Sequence, residues 1–242
     1  MLPLSRNRNS RQARNVLLNP DEPVTITKIT RKKNKKPMYG VYVDGAFGFD
    51  VSNEVLMKFS LHVGDTLDNE KVEQIVTGEG MYRAQQIAVN YLSYRPRSTK
   101  EVVTHLRKKG FAVELARNIA SHLQKKEMIN DTEFARMFVR DKLKRKPTGT
   151  AMLRQLLLGR GIAPNIIERV LHEIVTDEDQ QRAAEELANK RLAHAHTSLA
   201  SLELAKRKRR LFEYLLRRGF SSDIATKTVR TIFARVSEGR AA

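Results

Sequence analysis

Cysteine and tryptophan are both absent from this chain of 242 residues. Without cysteine there is no disulfide, no thiolate metal site and no cysteine nucleophile, which fits a reducing cytosol. Aromatic residues make up only 6%, too few for a platform on which single-stranded nucleic acid stacks. No apolar run approaches the ~18 residues of a membrane-spanning helix. Acidic residues are the scarcer charge, 27 against 45 basic, for a net charge of +18. That excess points to a polyanionic or acidic partner and says nothing directly about fold. At roughly 150 residues per domain, the length suits one large domain or two small ones.

The charge is unevenly spread. Residues 1–37 hold 10 basic and 2 acidic residues, and residues 38–78 hold 2 basic and 7 acidic. Net charge then runs +6 over 79–130, +1 over 131–181 and +8 over 182–242. Arg6, Arg8, Arg11 and Arg14 lie in a stretch without an apolar core. It is a poor secretory signal, and a disordered basic arm over 1–20 is expected. The clusters Arg31-Lys32-Lys33 with Lys35-Lys36, and Lys206 to Arg210, are either solvated faces or contacts to an anionic surface.

The front of the chain reads as β-structure. Val24 to Ile29 is β-branched and bounded by Pro23, which is a strand signal. The polar run 31–36 reads as a turn or loop. Tyr39, Val41 and Val43 alternate with Gly40, Tyr42 and Asp44, and alternation resumes at Phe47, Phe49 and Val51. Asp44-Gly45 between two alternating runs is a hairpin signal, because a type I′ turn needs positive φ at both central residues. A three-stranded antiparallel sheet over 24–51 is expected. Ser52 or Asn53 then caps a short helix, and Asp68 caps another through Val72 and Ile75.

From residue 84 the chain repeats itself. A shift of 51 places Ala84 on Ala135, Leu92 on Leu143, Pro96 on Pro147, Leu106 on Leu157, Gly110 on Gly161 and Ile119 on Val170. A further shift of 58 places Leu153 on Leu211, Leu157 on Leu215, Gly161 on Gly219 and Ile174 on Ile232, with extra length in the third copy within about 193–206. Each copy decodes into three helices. In the first copy these span about 81–93, 99–109 and 113–126 by apolar spacing. Pro96 ends the first helix, Ser98 with Glu101 forms a capping box, and Gly110 stops the second helix. One such unit buries little surface alone, so stacked copies are expected to form an elongated, curved helical array.

Catalytic constellations do not emerge. His62, His105, His122, His172, His194 and His196 form no HExxH pattern, and His194 and His196 point about 200° apart on a helix. Gly159-Arg160-Gly161 lacks the GxxxxGK of a phosphate loop. Asp131 and Glu133 suit a helix N-terminus, as do Asp177, Glu178 and Asp179. A non-enzyme without metal or cofactor is expected. Lys108-Lys109, Arg160 and Arg217-Arg218 all precede the repeat glycine. These cations either cap helix C-termini or present recurrent positive points to a partner, and the two roles are compatible.

Tyr94-Arg95-Pro96-Arg97-Ser98 with Glu101, Leu106 to Gly110-Phe111, and Ile129-Asn130-Asp131 with Phe134-Ala135 resemble the signature of the RecX regulatory proteins. Leu157 to Gly161-Ile162 and Leu215 to Gly219-Phe220 resemble the family's second and third repeats. The front β unit resembles an extension of some longer members. Asn130 stands where the family often has a second acidic residue. The resemblance covers about 80–238. It implies a bacterial cytosolic modulator that lies in the groove of the RecA–DNA filament and inhibits recombinase, ATPase and coprotease activities, in DNA repair, recombination and the SOS response.

The expected architecture is mainly α: an arm over 1–20, a β-rich module over 21–78, and three-helix repeats over 79–129, 130–178 and 179–238. The partner-contact residues expected are Arg95, Arg97, Lys108, Lys109, Arg160, Arg217 and Arg218, followed by Arg207, Lys208, Arg209 and Arg210. The protein is expected to act as a monomer on RecA or its filament. Direct binding to duplex DNA is the alternative function, and RNA binding a third. Basic tips spread over all repeats favour the filament, since a sequence-specific reader concentrates base contacts on one recognition helix.

Overall fold

The fold was analysed in a computed structural model, which describes residues 22–33, 37–193 and 203–238. The chain divides into two compact units, one ending at Ile129 and the other beginning at Asn130.

The first unit opens with strands β1 (Val24–Lys32), β2 (Met38–Val43) and β3 (Ala46–Ser52). Asp44 and Gly45 have φ of 49° and 81°, the paired positive values of the expected hairpin turn. Helix α1 (Asn53–Lys58) follows, then strand β4 (Thr66–Leu67). The sheet is therefore four-stranded, in the order β3-β2-β1-β4, and not three-stranded. β4 pairs only Val24–Thr25 with Thr66–Leu67, too short a ladder to leave an alternation pattern. Arg31 and Lys32 lie within β1 and not in the loop expected there. Lys32 passes beside Gly40 to reach Asp50 at 2.6 Å. The 34–36 part of that basic run, the arm over 1–20, His194, His196 and most of the 193–206 insertion lie outside the described residues.

Helix α2 (Asn69–Leu92) corrects a second expectation: one helix of 24 residues stands where two were expected. Asp68 caps it by accepting from the Lys71 amide at 2.7 Å. Its Val72 and Ile75 join the core beneath the sheet with Ile26, Val41, Phe49 and Leu67. Its Ala84 and Ala88 join the core of the first repeat with Val102, Leu106, Ile119 and Leu123. Gly78 and Gly80 do not break the helix, because its two ends are held in separate cores and packing outweighs a glycine penalty of about 1 kcal/mol. Helices α3 (Thr99–Lys108) and α4 (Val113–Lys125) complete the repeat.

The second unit holds α5 (Asp131–Arg145), α6 (Thr150–Gly159) and α7 (Pro164–Ile174), then α8 (Asp177–Ala193), α9 (Leu204–Arg217) and α10 (Ser222–Glu238). Asn130 caps α5 by accepting from the Thr132 and Glu133 amides. Each triplet closes on its own core, around Leu153, Leu157 and Val170 in one and around Leu211, Leu215 and Ile232 in the other.

The repeated glycine explains the register. Gly110, Gly161 and Gly219 have φ of 90°, 78° and 86°. The next amide reaches back in every case: Phe111 to Leu106, Ile162 to Leu157 and Phe220 to Leu215, each donating to the carbonyl at 3.2 Å. The glycine amides donate to Arg107, Leu158 and Leu216 at 2.9 Å. This is a Schellman cap, in which a left-handed residue satisfies the last carbonyls and returns an apolar residue to the core. The sequence repeat is thus a repeat of one helix ending.

Candidate partner-binding surface

The three caps place cations at the same position but in different surroundings. Lys108 and Lys109 are exposed at the end of α3, where positive charge complements the helix dipole. Arg160 is half-buried, stacked over Phe138 at 4.2 Å, and donates from Nη1 to the Leu156 carbonyl at 3.0 Å. Arg217 is exposed and Arg218 half-buried.

Arg95 and Arg97 are both tied into the first repeat. Ser98 is fully buried, accepts from the Glu101 amide at 3.2 Å, and its own amide donates to Glu101 at 3.2 Å. That completes the expected capping box. Arg95 donates to the same Glu101 carboxylate at 3.1 Å. The Arg97 guanidinium lies 4.0 Å from the centre of the Tyr91 ring, and Tyr91 stacks parallel on His105 at 3.9 Å. Burial, then the charges of Lys109, Arg97 and Lys108, hold the His105 pKa below its ordinary value. The imidazole therefore resists adding another positive charge here.

In the second unit the structure gathers cations that sequence spacing does not connect. The Gly149 amide donates to the Arg218 carbonyl and the Ala151 amide to the Gly219 carbonyl, both at 3.0 Å. The end of α9 is thereby seated on the start of α6. Arg218 comes to line a cavity of about 270 Å³ with Lys142, Arg145 and Lys146, over a floor of Met152 and Leu156. Sequence reasoning singled out Arg218 but missed the other three. The available signal was the run of four cations in 142–146, just ahead of the repeat proline. Arg145 also contacts Asp141 at 3.0 Å, which leaves the cluster strongly positive. Like charges sharing a cavity repel one another unless an anion sits among them.

The run 206–210 lies in the first half of helix α9, which starts at Leu204. That helix has no acidic residue in its first turn and no side-chain hydrogen bond at its N-cap. Lys206 and Arg207 lie in the first turn, where positive charge opposes the dipole. Arg207 and Lys208 lie 5.7 and 5.8 Å from the Phe233 ring. Arg209 pairs with Glu213 at 2.9 Å, and Arg210 is exposed.

Comparison with known proteins places these features. Family models match four stretches: the regulatory protein RecX N-terminal domain over residues 24–68, and the first, second and third RecX three-helix domains over 84–123, 130–171 and 177–229. Regulatory protein RecX of Bacillus licheniformis is 35% identical over 199 residues, covering 82% of this chain and 74% of the relative. Regulatory protein RecX of Bacillus subtilis is 33% identical with the same coverage. A crystal structure of regulatory protein RecX superposes with a TM-score of 0.69 at 29% identity, covering 83% of this chain and 96% of that one. RecX from Lactobacillus salivarius gives 0.56 at 28% identity, over 64% and 97%. On this agreement of sequence, repeat and fold, the chain belongs to the RecX family of regulatory proteins.

Proposed function

We propose that this protein is a non-enzymatic cytoplasmic regulator that binds RecA, or the RecA–DNA filament, and inhibits its recombinase, ATPase and coprotease activities. Family membership supports a regulator. The observation that carries the reading further is the charge placed where the fold does not need it. Arg218 joins Lys142, Arg145 and Lys146 around one cavity. Lys206 and Arg210 add exposed positive charge on α9. Sites that break a local rule without a gain inside the fold are where function is sought.

A filament of RecA on DNA presents acidic protein surface and phosphates together. Exposed Lys108, Lys109 and Arg217 suit either, as do the cations of the second unit. Such contacts weaken with salt, through screening and counterion release.

The test is DNA-dependent ATP hydrolysis by RecA with this protein below one copy per RecA. Inhibition is expected, together with its loss when Lys108, Lys109, Arg217 and Arg218 are all changed to Glu. Undiminished hydrolysis, alongside tight duplex binding at physiological salt, speaks for the direct DNA-binding alternative.

A further inference from the structure

The cation-lined cavity of the second unit is assembled from separate places in the chain. Lys142, Arg145 and Lys146 come from the end of α5 and the residue after it, Thr148 from the loop before α6, and Arg218 from the end of α9. Met152 and Leu156 of α6 form the floor. The loop is held in place by α8, whose Gln180 is 2% exposed. Gln180 Oε1 accepts from the Thr150 amide at 3.1 Å, and its Nε2 donates to the Thr148 carbonyl at 3.3 Å. The Thr148 hydroxyl donates to the Lys146 carbonyl at 2.9 Å. Together with the bond from the Gly149 amide to the Arg218 carbonyl, these contacts set the shape before a ligand arrives, which lowers the cost of binding.

The fold itself accounts for part of this charge. Cations in the last turn of α5 complement its dipole. Arg145 pairs with Asp141 at 3.0 Å, and Lys142 lies 5.6 Å from the centre of the Phe138 ring. Lys146 and Arg218 have no ion-pair partner among the described residues. Arg218 is also half-buried, so its charge is partly withdrawn from water with no carboxylate to answer it. Withdrawing an unpaired charge is costly, and the neighbouring cations add repulsion. An anion in the cavity removes both costs.

Size and lining narrow the anion. About 270 Å³ lies below the ~300–1,000 Å³ of an ordinary small-molecule site, so the end of a ligand fits and a strand passing through does not. A carboxylate carries a single charge, as does each phosphodiester inside a strand. A terminal phosphate carries about −1.5 to −2 at pH 7 and three strong acceptor oxygens, which suits cations arriving from several sides. The planar fork of an arginine binds two such oxygens at once. The apolar floor takes a group without hydrogen-bond demands, and methionine packs well against a flat ring. A nucleoside carries such a ring, whereas a phosphorylated serine does not.

We propose that this cavity binds the terminal phosphate of a nucleotide, free or at the end of a nucleic-acid strand. Arg218 is its bidentate anchor, Lys142 and Lys146 stand beside it, and the nucleoside lies against Met152 and Leu156. The site does not depend on the RecA reading, since a chain without effect on RecA would still bind the nucleotide.

The probe is deoxyadenosine 5′-monophosphate, titrated into the full chain labelled with 13C at its Met methyl groups. Deoxyadenosine, which lacks the phosphate, is the comparison. A saturable shift of the Met152 methyl signal is expected with the monophosphate alone. Arg218→Gln keeps the backbone carbonyl that Gly149 uses and should weaken binding at least tenfold. Lys144→Gln, at an exposed residue outside the lining, should leave it unchanged. Should Arg218→Gln lose its helical circular dichroism, Lys142→Gln decides, with several-fold weaker binding expected. Two oligonucleotides of one sequence, with a 5′-phosphate and with a 5′-hydroxyl, separate the sources. Tighter binding of the phosphorylated strand assigns the strand end, and equal binding of the two assigns the free nucleotide. A matching shift from deoxyadenosine, no saturable shift from the monophosphate, equal weakening by Lys144→Gln, or full affinity in the folded cavity variants would overturn the proposal.

Discussion

Gly149 and Gly219 meet backbone to backbone at the junction of the second and third repeats. A Cβ built on Gly149 would stand 2.0 Å from the Gly219 carbonyl carbon, and one on Gly219 would stand 2.4 Å from the Met152 amide nitrogen. Neither neighbour is the movable end of a side chain, so only glycine allows the two hydrogen bonds from Gly149 and Ala151 to form. The contact also brings Arg218 to the cluster around Lys142.

Gly219→Ala should therefore destabilise more than Gly110→Ala. A Cβ on Gly110 would meet nothing within 4 Å, so that change carries only the left-handed backbone penalty of about 1–2 kcal/mol. Gly219→Ala adds an overpacking cost of about 1–3 kcal/mol. Urea unfolding of the full chain checks the order, and equal losses would show that the junction yields.

Ser98→Ala removes the fully buried cap of α3 and should cost about 1 kcal/mol. Arg95→Ala removes a partly exposed ion pair to the same Glu101, worth about 0–1 kcal/mol. The serine should matter more than the arginine by thermal unfolding, although both side chains contact Glu101, one at its amide and the other at its carboxylate.

The His105 pKa is depressed in the folded chain, against an ordinary value of about 6.5 in the unfolded one. Below that value the unfolded state holds more protons, so stability rises with pH. This contribution is present above the unfolded pKa and is lost as pH falls through the window toward the folded pKa. The urea midpoint should drop between about pH 7.5 and about pH 5.5. His105→Phe keeps a ring against Tyr91 and should flatten that drop.

The helical repeats were largely legible in the sequence, because glycine, proline and apolar spacing held one register and each marks a physical event. Gly110, Gly161 and Gly219 are left-handed stops, and Asp44-Gly45 turns the hairpin as its dihedral preference requires. Other features depend on tertiary structure. β4 is two residues long and is defined only by its pairing. The run of α2 through Gly78 and Gly80 is decided by two cores that local propensity does not see. The bond from Ser52 to Glu79 joins residues 27 apart, a pairing that no local pattern announces. The cations at 142–146 were visible as a run, but their meeting with Arg218 required the glycine junction.

Changing Lys146 and Arg218 together to Glu should weaken binding to RecA–DNA filaments and lower its salt dependence. Each lost phosphate contact reduces the salt slope by about 1. Lys144→Glu, one exposed residue outside the cavity lining, is the comparison and should have the smaller effect. Equal slopes for all three proteins would remove phosphate from that cavity.

The most direct test of the regulatory reading is the length of RecA filaments on single-stranded DNA, imaged by electron microscopy as this protein is added below one copy per RecA. Progressive shortening, absent with the Lys108, Lys109, Arg217 and Arg218 charge-reversed protein, is the predicted result. Filaments of unchanged length at every ratio would contradict it.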